Sequence, residues 1–185
     1  MTGFSINNLT TTIFQQLTFE LTTPGLYGMI GPNGIGKSTL FSLINGEIKG
    51  FGGEIQSGKV AYIPSLDIFD KHLSAHDYLT LLSSEEQSTF QKKIGKYSLG
   101  MKELFAFLYA LSIQSDILIL DELLDGLDER RRFAAYDLLK EYSPEKIILL
   151  TSHNLSEVFK VCDTVFLLSQ SSLKALDSSD DAAKF

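Results

Sequence analysis

The fold of this chain is decided by residues 27–40, which run Tyr27-Gly28-Met29-Ile30-Gly31-Pro32-Asn33-Gly34-Ile35-Gly36-Lys37-Ser38-Thr39-Leu40. The stretch predicts an apolar strand, a glycine-rich turn and the start of a helix. Gly31 and Gly36, five residues apart and followed by Lys37 and Ser38, match the phosphate-loop pattern. Glycines let successive backbone N–H groups turn towards an anion, and the helix adds its free N–H groups and positive dipole end. A turn that merely needs glycines is the alternative, and the strand–turn–helix context favours a nucleotide site.

Length and composition bound the class of protein. The chain has 185 residues, of which 44% are hydrophobic and 21% charged, as expected for one domain with a sizeable core. No apolar run approaches the roughly 20 residues of a membrane span, and the N-terminus lacks the pattern of a signal peptide. The single cysteine, Cys162, excludes an internal disulfide and suits a reducing cytosol.

The charge balance argues against nucleic acid as a partner. The formal net charge is −7, and the one basic cluster is Arg130-Arg131-Arg132. Because this triplet is followed by apolar residues at helical spacing, a solvated helix face explains it better than a nucleic-acid surface.

Hydrophobic periodicity predicts alternating strands and helices along the chain. Strands are predicted at residues 4–9, 17–21, 26–30, 54–55, 59–63, 116–122, 146–151 and 164–168. Helices are predicted at residues 39–45, 97–112, 129–142 and 155–162. Continuous apolar runs among the later strands are typical of strands covered by helices on both faces. The sequence therefore predicts one α/β domain over residues 1–185, in which a mostly parallel sheet is joined to an antiparallel N-terminal β part.

A short helical insertion is predicted in the more polar part of the chain. It covers residues 67–96, with a helical segment at 84–94, and together with the next helix gives a helical subdomain at about 66–112. His72 and His76 lie four residues apart, a spacing that two metal ligands on one helix can have. Because no further His or Cys is near, exposed polar residues are the better interpretation. The polar tail at 178–185 is expected to be frayed.

A pair of carboxylates ends the buried strand at 116–122. Ligands bind open α/β sheets at the carboxyl ends of the strands, so Asp121 could hold Mg²⁺ beside Ser38, and Glu122 could accept a proton from an attacking water. A plain strand end is the alternative, and the phosphate loop favours the catalytic interpretation. His153 follows the next strand and is expected at the same edge, where it could bond a γ-phosphate or Glu122. Alone it would be an ordinary loop histidine.

A second anion-binding pattern begins the helix at 97–112. Ser98 is a favourable N-cap, and Gly100 exposes backbone N–H groups in the first turn. Because the phosphate loop already serves the phosphates of its own chain, we expect Ser98 and Gly100 to meet the nucleotide of a second protomer.

Together these residues resemble the ATP-binding-cassette (ABC) ATPase family over about residues 4–176. Residues 31–39 are similar to the family's Walker A motif, 117–122 to Walker B, 97–102 to the signature motif, 126–128 to the D-loop, and His153 to the switch histidine. The resemblance implies a P-loop NTPase fold, ATP and Mg²⁺ as cofactors, and a head-to-tail dimer with a second ABC subunit around two ATPs. It implies ATP contacts at Asn33, Gly34, Gly36, Lys37, Ser38, Thr39, Ser98 and Gly100, metal contacts at Ser38 and Asp121, and catalysis by Glu122 and His153.

Three features depart from the family's pattern. Ser65 stands where the Q-loop glutamine is expected, and its shorter hydroxyl could still contact Mg²⁺ or its water. Leu99 and Met101 replace the commonest signature residues, Gly and Gln. The aromatic that stacks on adenine is not obvious at residues 10–13, and Phe14 is the nearest candidate.

The resemblance implies the ATP-hydrolysing subunit of a membrane transporter, similar to bacterial exporter-type ATPases. Such a subunit would be cytoplasmic and held at the inner face of the cell membrane by separate transmembrane permease subunits, docking near Leu66, Ile68 and Phe69. A soluble ABC ATPase acting on DNA, ribosomes or cofactor assembly is an alternative, against which the lack of a heptad run at 65–97 and the single cassette argue. A regulatory cassette that binds ATP without turnover is another, suggested by Ser65 and the altered signature.

Overall fold

The computed structural model describes residues 3–80 and 93–176. Its strands are β1 (Phe4–Thr10), β2 (Leu17–Leu21), β3 (Gly25–Ile30), β4 (Gly52–Ser57), β5 (Val60–Tyr62), β6 (Ile117–Asp121), β7 (Ile147–Thr151), β8 (Thr164–Leu168) and β9 (Leu173–Leu176). Its α-helices are α1 (Lys37–Ile44), α2 (Ala75–Thr80), α3 (Leu99–Ser112), α4 (Glu129–Tyr142) and α5 (Leu155–Val161), with 3₁₀ turns at Leu66–Ile68 and Ile94–Lys96. The helix predicted at 84–94 lies largely outside the described residues, and the tail predicted at 178–185 lies wholly outside them.

Two sheets organise the described residues. The larger has the strand order β5-β6-β7-β3-β8-β9 and is parallel except for β9, which runs antiparallel to β8. The smaller is antiparallel, in the order β2-β1-β4. The predicted mostly parallel α/β sheet joined to an antiparallel N-terminal part is therefore confirmed.

The central strands are apolar at every position because their side chains alternate between two covered faces of the sheet. On β6, Ile117 and Ile119 pack with the N-terminal sheet and α1, whereas Leu118 and Leu120 pack with α3 and α4. Successive side chains on a strand point to opposite faces, so a strand covered on both faces must be apolar at every position. All four side chains are fully buried. Burial on both faces fixes the strand ends that carry the functional residues.

An aromatic cluster packs the helical part of the chain, the segment that runs from residue 66 to the end of α2, against α3. The rings of Phe69, Tyr78, Phe105 and Tyr109 lie with their centroids between 4.8 and 5.9 Å apart, mostly edge to face. Phe69 is 3% exposed, so the expectation that it docks a partner is wrong, because its ring completes this cluster. Ile68, at 51% exposed, remains available for docking, and Leu66 packs partly against the core.

Candidate nucleotide-binding site

The phosphate loop, residues 31–39, connects β3 to α1 as predicted. All six residues of β3 are buried between β7 and β8, and the chain leaves the sheet at Ile30. Gly36 precedes the first residue of α1 with φ 107°, a left-handed conformation that favours glycine. A Cβ at Gly36 would lie 2.9 Å from both Ile13 and Phe14, so even the small side chain of alanine would not fit. Glycine at this position therefore lets the loop keep the path that turns its backbone N–H groups towards an anion.

Lys37 lies over the loop. Its ammonium donates to the carbonyl of Gly31 at 2.9 Å, and the side chain lines the cavity at the start of α1. The N-terminus of α1 carries free N–H groups and the positive end of the helix dipole. Both place positive charge at this end of the cavity, in a chain whose net charge is −7.

Side-chain oxygens from α1, β6 and β7 meet beside the loop. The Ser38 hydroxyl donates to the Asp121 carboxylate at 2.5 Å, and the Thr151 hydroxyl donates to the other oxygen of Asp121 at 2.7 Å. Asp121 and Thr151 face each other across the β6–β7 pair, so the sheet register makes the second contact. The Tyr62 hydroxyl lies 3.5 Å from Asp121, and burial, followed by the negative charge of Asp121, raises the pKa of Tyr62.

Glu122 and His153 form the second half of the site. The imidazole Nε2 of His153 lies 3.2 Å from a Glu122 carboxylate oxygen, and the two side chains are 65% and 42% exposed. The Glu122 backbone has φ 55°, and its N–H donates to the Thr151 hydroxyl at 2.9 Å. A non-glycine residue in this region costs on the order of 1–3 kcal/mol and persists only where its surroundings impose it. The turn aims the carboxylate away from the sheet and into the cavity.

A polar cavity of about 450 Å³ joins these groups. It is lined by Ile13, Asn33, Gly34, Gly36, Lys37, Ser38, Thr39, Glu122 and His153. The predicted phosphate-loop residues and the two predicted catalytic residues therefore share one cleft. Asp121 lies directly beneath it through Ser38.

The tip of α3, Ser98–Gly100, does not line this cavity. The Ser98 side chain caps the helix by accepting from the Met101 N–H at 3.4 Å. Leu99 is 62% exposed. Neither Ser98 nor Gly100 is among the described residues that line the cavity. Within one chain, the second anion-binding pattern therefore does not contribute to the first.

Comparisons with known proteins identify the family. Residues 14–125 match the family model described as "ABC transporter". This match covers more than half of the chain. The chain belongs to the ABC transporter family.

Relatives in the ABC family align along most of the chain. A "Probable metal transport system ATP-binding protein" of Thermotoga maritima is 28% identical over 85% of this chain, and the "Chelated iron transport system membrane protein YfeB" of Yersinia pestis is 28% identical over 91%. The "Uncharacterized ABC transporter ATP-binding protein YxlF" of Bacillus subtilis is 26% identical over 83%. The chain spans 75%, 70% and 62% of the lengths of these three relatives, respectively.

Solved ABC structures share the fold. The ATP-binding subunit of an ABC transporter superposes with a TM-score of 0.81 at 23% identity, covering 98% of this chain and 92% of that one. A nucleotide-free ATP-binding cassette superposes with a TM-score of 0.77 at 14% identity, covering 98% and 94%. The transporter ATPase assignment made from the sequence is confirmed at the level of the family.

The Ser65 side chain caps the start of a 3₁₀ turn. Its hydroxyl accepts from the Asp67 N–H at 3.2 Å and begins the 3₁₀ turn at Leu66–Ile68. Ser65 is not among the described residues that line the nucleotide cavity. The cap uses one of the two lone pairs of the Ser65 hydroxyl, and a metal contact at Ser65 stays a prediction.

Phe14 does not offer a face to adenine. The Thr11 hydroxyl accepts from the N–H groups of Ile13 and Phe14 at 3.0 and 2.9 Å, which turns the chain so that Phe14 is fully buried. Ile13 lines the cavity in its place. The prediction for Phe14 is corrected on this point, because an aromatic residue in the sequence does not reveal which of two adjacent side chains faces the ligand.

Two further site residues have no motif of their own. The Thr151 hydroxyl hydrogen-bonds the Asp121 carboxylate and the Glu122 backbone N–H. The Asp125 carboxylate accepts hydrogen bonds from the Ser152 hydroxyl and the His153 backbone N–H. A signal for Thr151 existed in the prediction that the strands at 116–122 and 146–151 end at the same edge of the sheet. Asp125 lies in a loop whose path the sequence does not specify.

Proposed function

We propose that this chain binds ATP with Mg²⁺ and hydrolyses it as one subunit of a membrane transporter. The observation that carries the proposal is the single cleft shared by the phosphate loop, the Ser38–Asp121 pair and the Glu122–His153 pair. An anion cradle alone would support binding. A carboxylate and an imidazole at its rim add what hydrolysis needs.

Ser38 and Asp121 fit a magnesium site. Mg²⁺ prefers hydroxyl and carboxylate oxygens together with phosphate and water, and these two side chains already lie within hydrogen-bond distance of each other. When bound, the ion supplies positive charge to the phosphate oxygens. Thr151 and Tyr62 hold Asp121 in place from the sheet side.

Glu122 is the proposed general base. In the reaction a water oxygen forms a bond to the γ-phosphorus, the bond from that phosphorus to the β–γ bridging oxygen breaks, and ADP leaves. The water gives up a proton, and the Glu122 carboxylate can accept it. His153 contacts Glu122 and is placed to hydrogen-bond the γ-phosphate, while Lys37 neutralises charge on the β- and γ-phosphates.

A second subunit is proposed to close the site. Ser98 and Gly100 stand at an exposed helix tip, whereas the cleft of the same chain is open above Glu122 and His153. Two chains facing head to tail would place the tip of one over the triphosphate of the other. ATP binding would then close the dimer, and hydrolysis would open it.

The proposed cargo is a metal ion or its chelate, moved by separate permease subunits. This part of the proposal is supported by the names of the relatives from Thermotoga maritima and Yersinia pestis. Among residues 3–80 and 93–176, no helix combines the length and apolar character needed to cross a bilayer. The exposed Ile68, beside the partly buried Leu66, is the proposed docking point on the helical part.

Hydrolysis by the purified chain, with and without its permease in liposomes, tests the proposal. We expect MgATP turnover that rises with the permease, loss of nucleotide affinity in Lys37→Ala, and retained affinity without turnover in Glu122→Gln. The Asp137→Asn variant is a matched control, because Asp137 is an exposed residue of α4. Binding without turnover in the wild-type chain, even with permease, would instead identify a regulatory cassette, the alternative suggested by Ser65 at the Q-loop position and by the altered signature. Turnover in Glu122→Gln would refute the assigned base.

A further inference from the structure

Asp125 fixes the backbone on which His153 is mounted. It lies in the loop between β6 and α4, and its two carboxylate oxygens accept from the Ser152 hydroxyl at 2.5 Å and from the His153 N–H at 2.9 Å. The Ser152 hydroxyl also accepts from the Asn154 N–H at 3.0 Å. One carboxylate therefore orders the switch loop, Ser152–Asn154, through two donors.

The imidazole itself has little else to hold it. His153 is 65% exposed and Glu122 is 42% exposed, so solvent screens their contact and neither side chain is fixed by packing. Exposed pairs of this kind are worth about 0–1 kcal/mol on their own. The 3.2 Å approach of Nε2 to Glu122 must therefore depend on where the backbone places His153.

The buried carboxylate of Glu103 packs against the loop between β6 and α4, which also carries Asp125. Glu103 lies on α3, five residues after Ser98, and is 8% exposed. It packs directly on Gly126, where a Cβ would collide with both carboxylate oxygens. Among the described residues, its Oε2 is buried without a hydrogen-bond partner. Burial raises the pKa of Glu103, the charge of Asp125 raises it further, and a backbone hydrogen bond from Gly126 opposes both.

We propose that Asp125 is a positioning residue for ATP hydrolysis, which holds His153 against Glu122, while Glu103 links the loop of Asp125 to the helix that begins at Ser98. The proposal rests on the proposed hydrolytic function. A physical path then runs from the exposed tip of α3, through Glu103 and Gly126, to Asp125 and the switch loop. A second subunit in contact with that tip would therefore influence the position of His153 relative to Glu122.

Kinetics of the full chain test the proposal. Asp125→Ala removes both acceptors, and we expect kcat to fall at least tenfold while KM and the Kd for ATP change by less than about threefold. Asp125→Asn keeps one acceptor and should fall in between. Ser152→Ala removes one donor and gives a second route should Asp125→Ala fold poorly. Asp137→Asn is the control for losing a carboxylate.

A double-mutant cycle separates positioning from a general structural effect. If Asp125 acts through His153, Asp125→Ala adds almost nothing to the loss in His153→Ala. Additive losses, or a wild-type kcat in Asp125→Ala, would overturn the proposal.

A readout without turnover keeps this inference distinct from the proposed function. The chain contains three histidines, so the His153 imidazole resonance can be assigned by NMR with His153→Ala. We expect Glu122→Gln to shift this resonance in the wild-type background and to leave it unchanged in Asp125→Ala. The same shift in both backgrounds would refute the positioning role. Absence of ATP turnover in the wild-type chain would refute the hydrolytic function alone.

Discussion

Replacing Arg132 with methionine tests how α4 and α5 are held behind the site. Its guanidinium donates through Nε and Nη2 to the two oxygens of Glu157 at 2.7 and 2.9 Å, and through Nη1 to the carbonyl of Leu127 at 2.8 Å. The Tyr136 hydroxyl donates to the same carboxylate at 3.0 Å. The guanidinium lowers the pKa of Glu157, and the carboxylate raises the pKa of Arg132. Methionine keeps the apolar stem and removes all three of its donors.

The structure sets the size of the effect. The Arg132 and Glu157 side chains are 17% and 13% exposed, so the pair is mostly buried. Removing one partner of a buried pair costs about 3–5 kcal/mol, and the residual exposure reduces this to about 2–3 kcal/mol. For a chain of this size, we expect the melting temperature to fall by roughly 4–12 °C. Arg131 is the matched control, since its pair with Asp128 is 52% and 57% exposed at 3.4 Å, and Arg131→Met should cost less than about 1 kcal/mol.

Urea unfolding and thermal melts followed by circular dichroism measure the difference. The folded-state pKa of Glu157 is depressed, so its contribution is fully present above its ordinary value of 4.5 and is lost as pH falls through the lowered value. The gap between wild type and Arg132→Met should therefore be constant from neutral pH to about 4.5 and shrink below it. Equal losses in Arg131→Met and Arg132→Met, or a gap that does not shrink in acid, would refute this explanation.

Three further outcomes follow from the described contacts. Gly36→Ala should lower ATP affinity at least tenfold by calorimetry, because its Cβ would collide with Phe14 and its φ of 107° disfavours alanine. Gly34→Ala is the control for the collision: its φ of 80° also disfavours alanine, but its Cβ would meet open space, so it should lose less affinity. Glu103→Gln should melt at a higher temperature than wild type at pH 7. Burial raises the folded-state pKa of Glu103, so the wild type loses stability as the pH rises from 4.5 through that raised value, whereas glutamine stays neutral. The same dependence of melting temperature on pH in wild type and variant would contradict the burial of that charge. Burial, with a smaller contribution from Asp163, raises the pKa of the Cys162 thiol to about 12. Cys162 in the native chain should therefore react with a maleimide at pH 8 at least tenfold more slowly than Cys162 in the unfolded chain, and equal rates would show that the thiol is accessible.

Local patterns predicted most of the secondary structure. The phosphate loop, the helix at 129–142 and the double-sided burial of the strand at 116–122 follow from spacing, capping and periodicity, and the structure reproduces them. The strand β9 (Leu173–Leu176) has no equivalent among the predictions. It is a four-residue edge strand with partly exposed residues, so its pattern carries little signal, and pairing with β8 is what makes it a strand.

Tertiary geometry explains the remaining differences at the site. The Thr11 hydroxyl decides that Phe14 enters the core and Ile13 faces the cavity, which no periodicity reveals. Ser65 is occupied as a cap by a contact two residues away. Asp125 bonds residues 27 and 28 positions later in the chain, so its role emerges only once the two loops are folded together.

In the proposed dimer, the phosphate loop of one chain and the Ser98–Gly100 tip of a second enclose ATP between them. Sedimentation equilibrium of Glu122→Gln with saturating MgATP, in the presence of the permease subunits if they prove necessary, measures this directly. We expect a particle containing two 20.5 kDa chains, and we expect Ser98→Arg in the same background to abolish it while leaving ATP bound. Single 20.5 kDa chains at saturating MgATP, or a dimer that tolerates Ser98→Arg, would contradict the account.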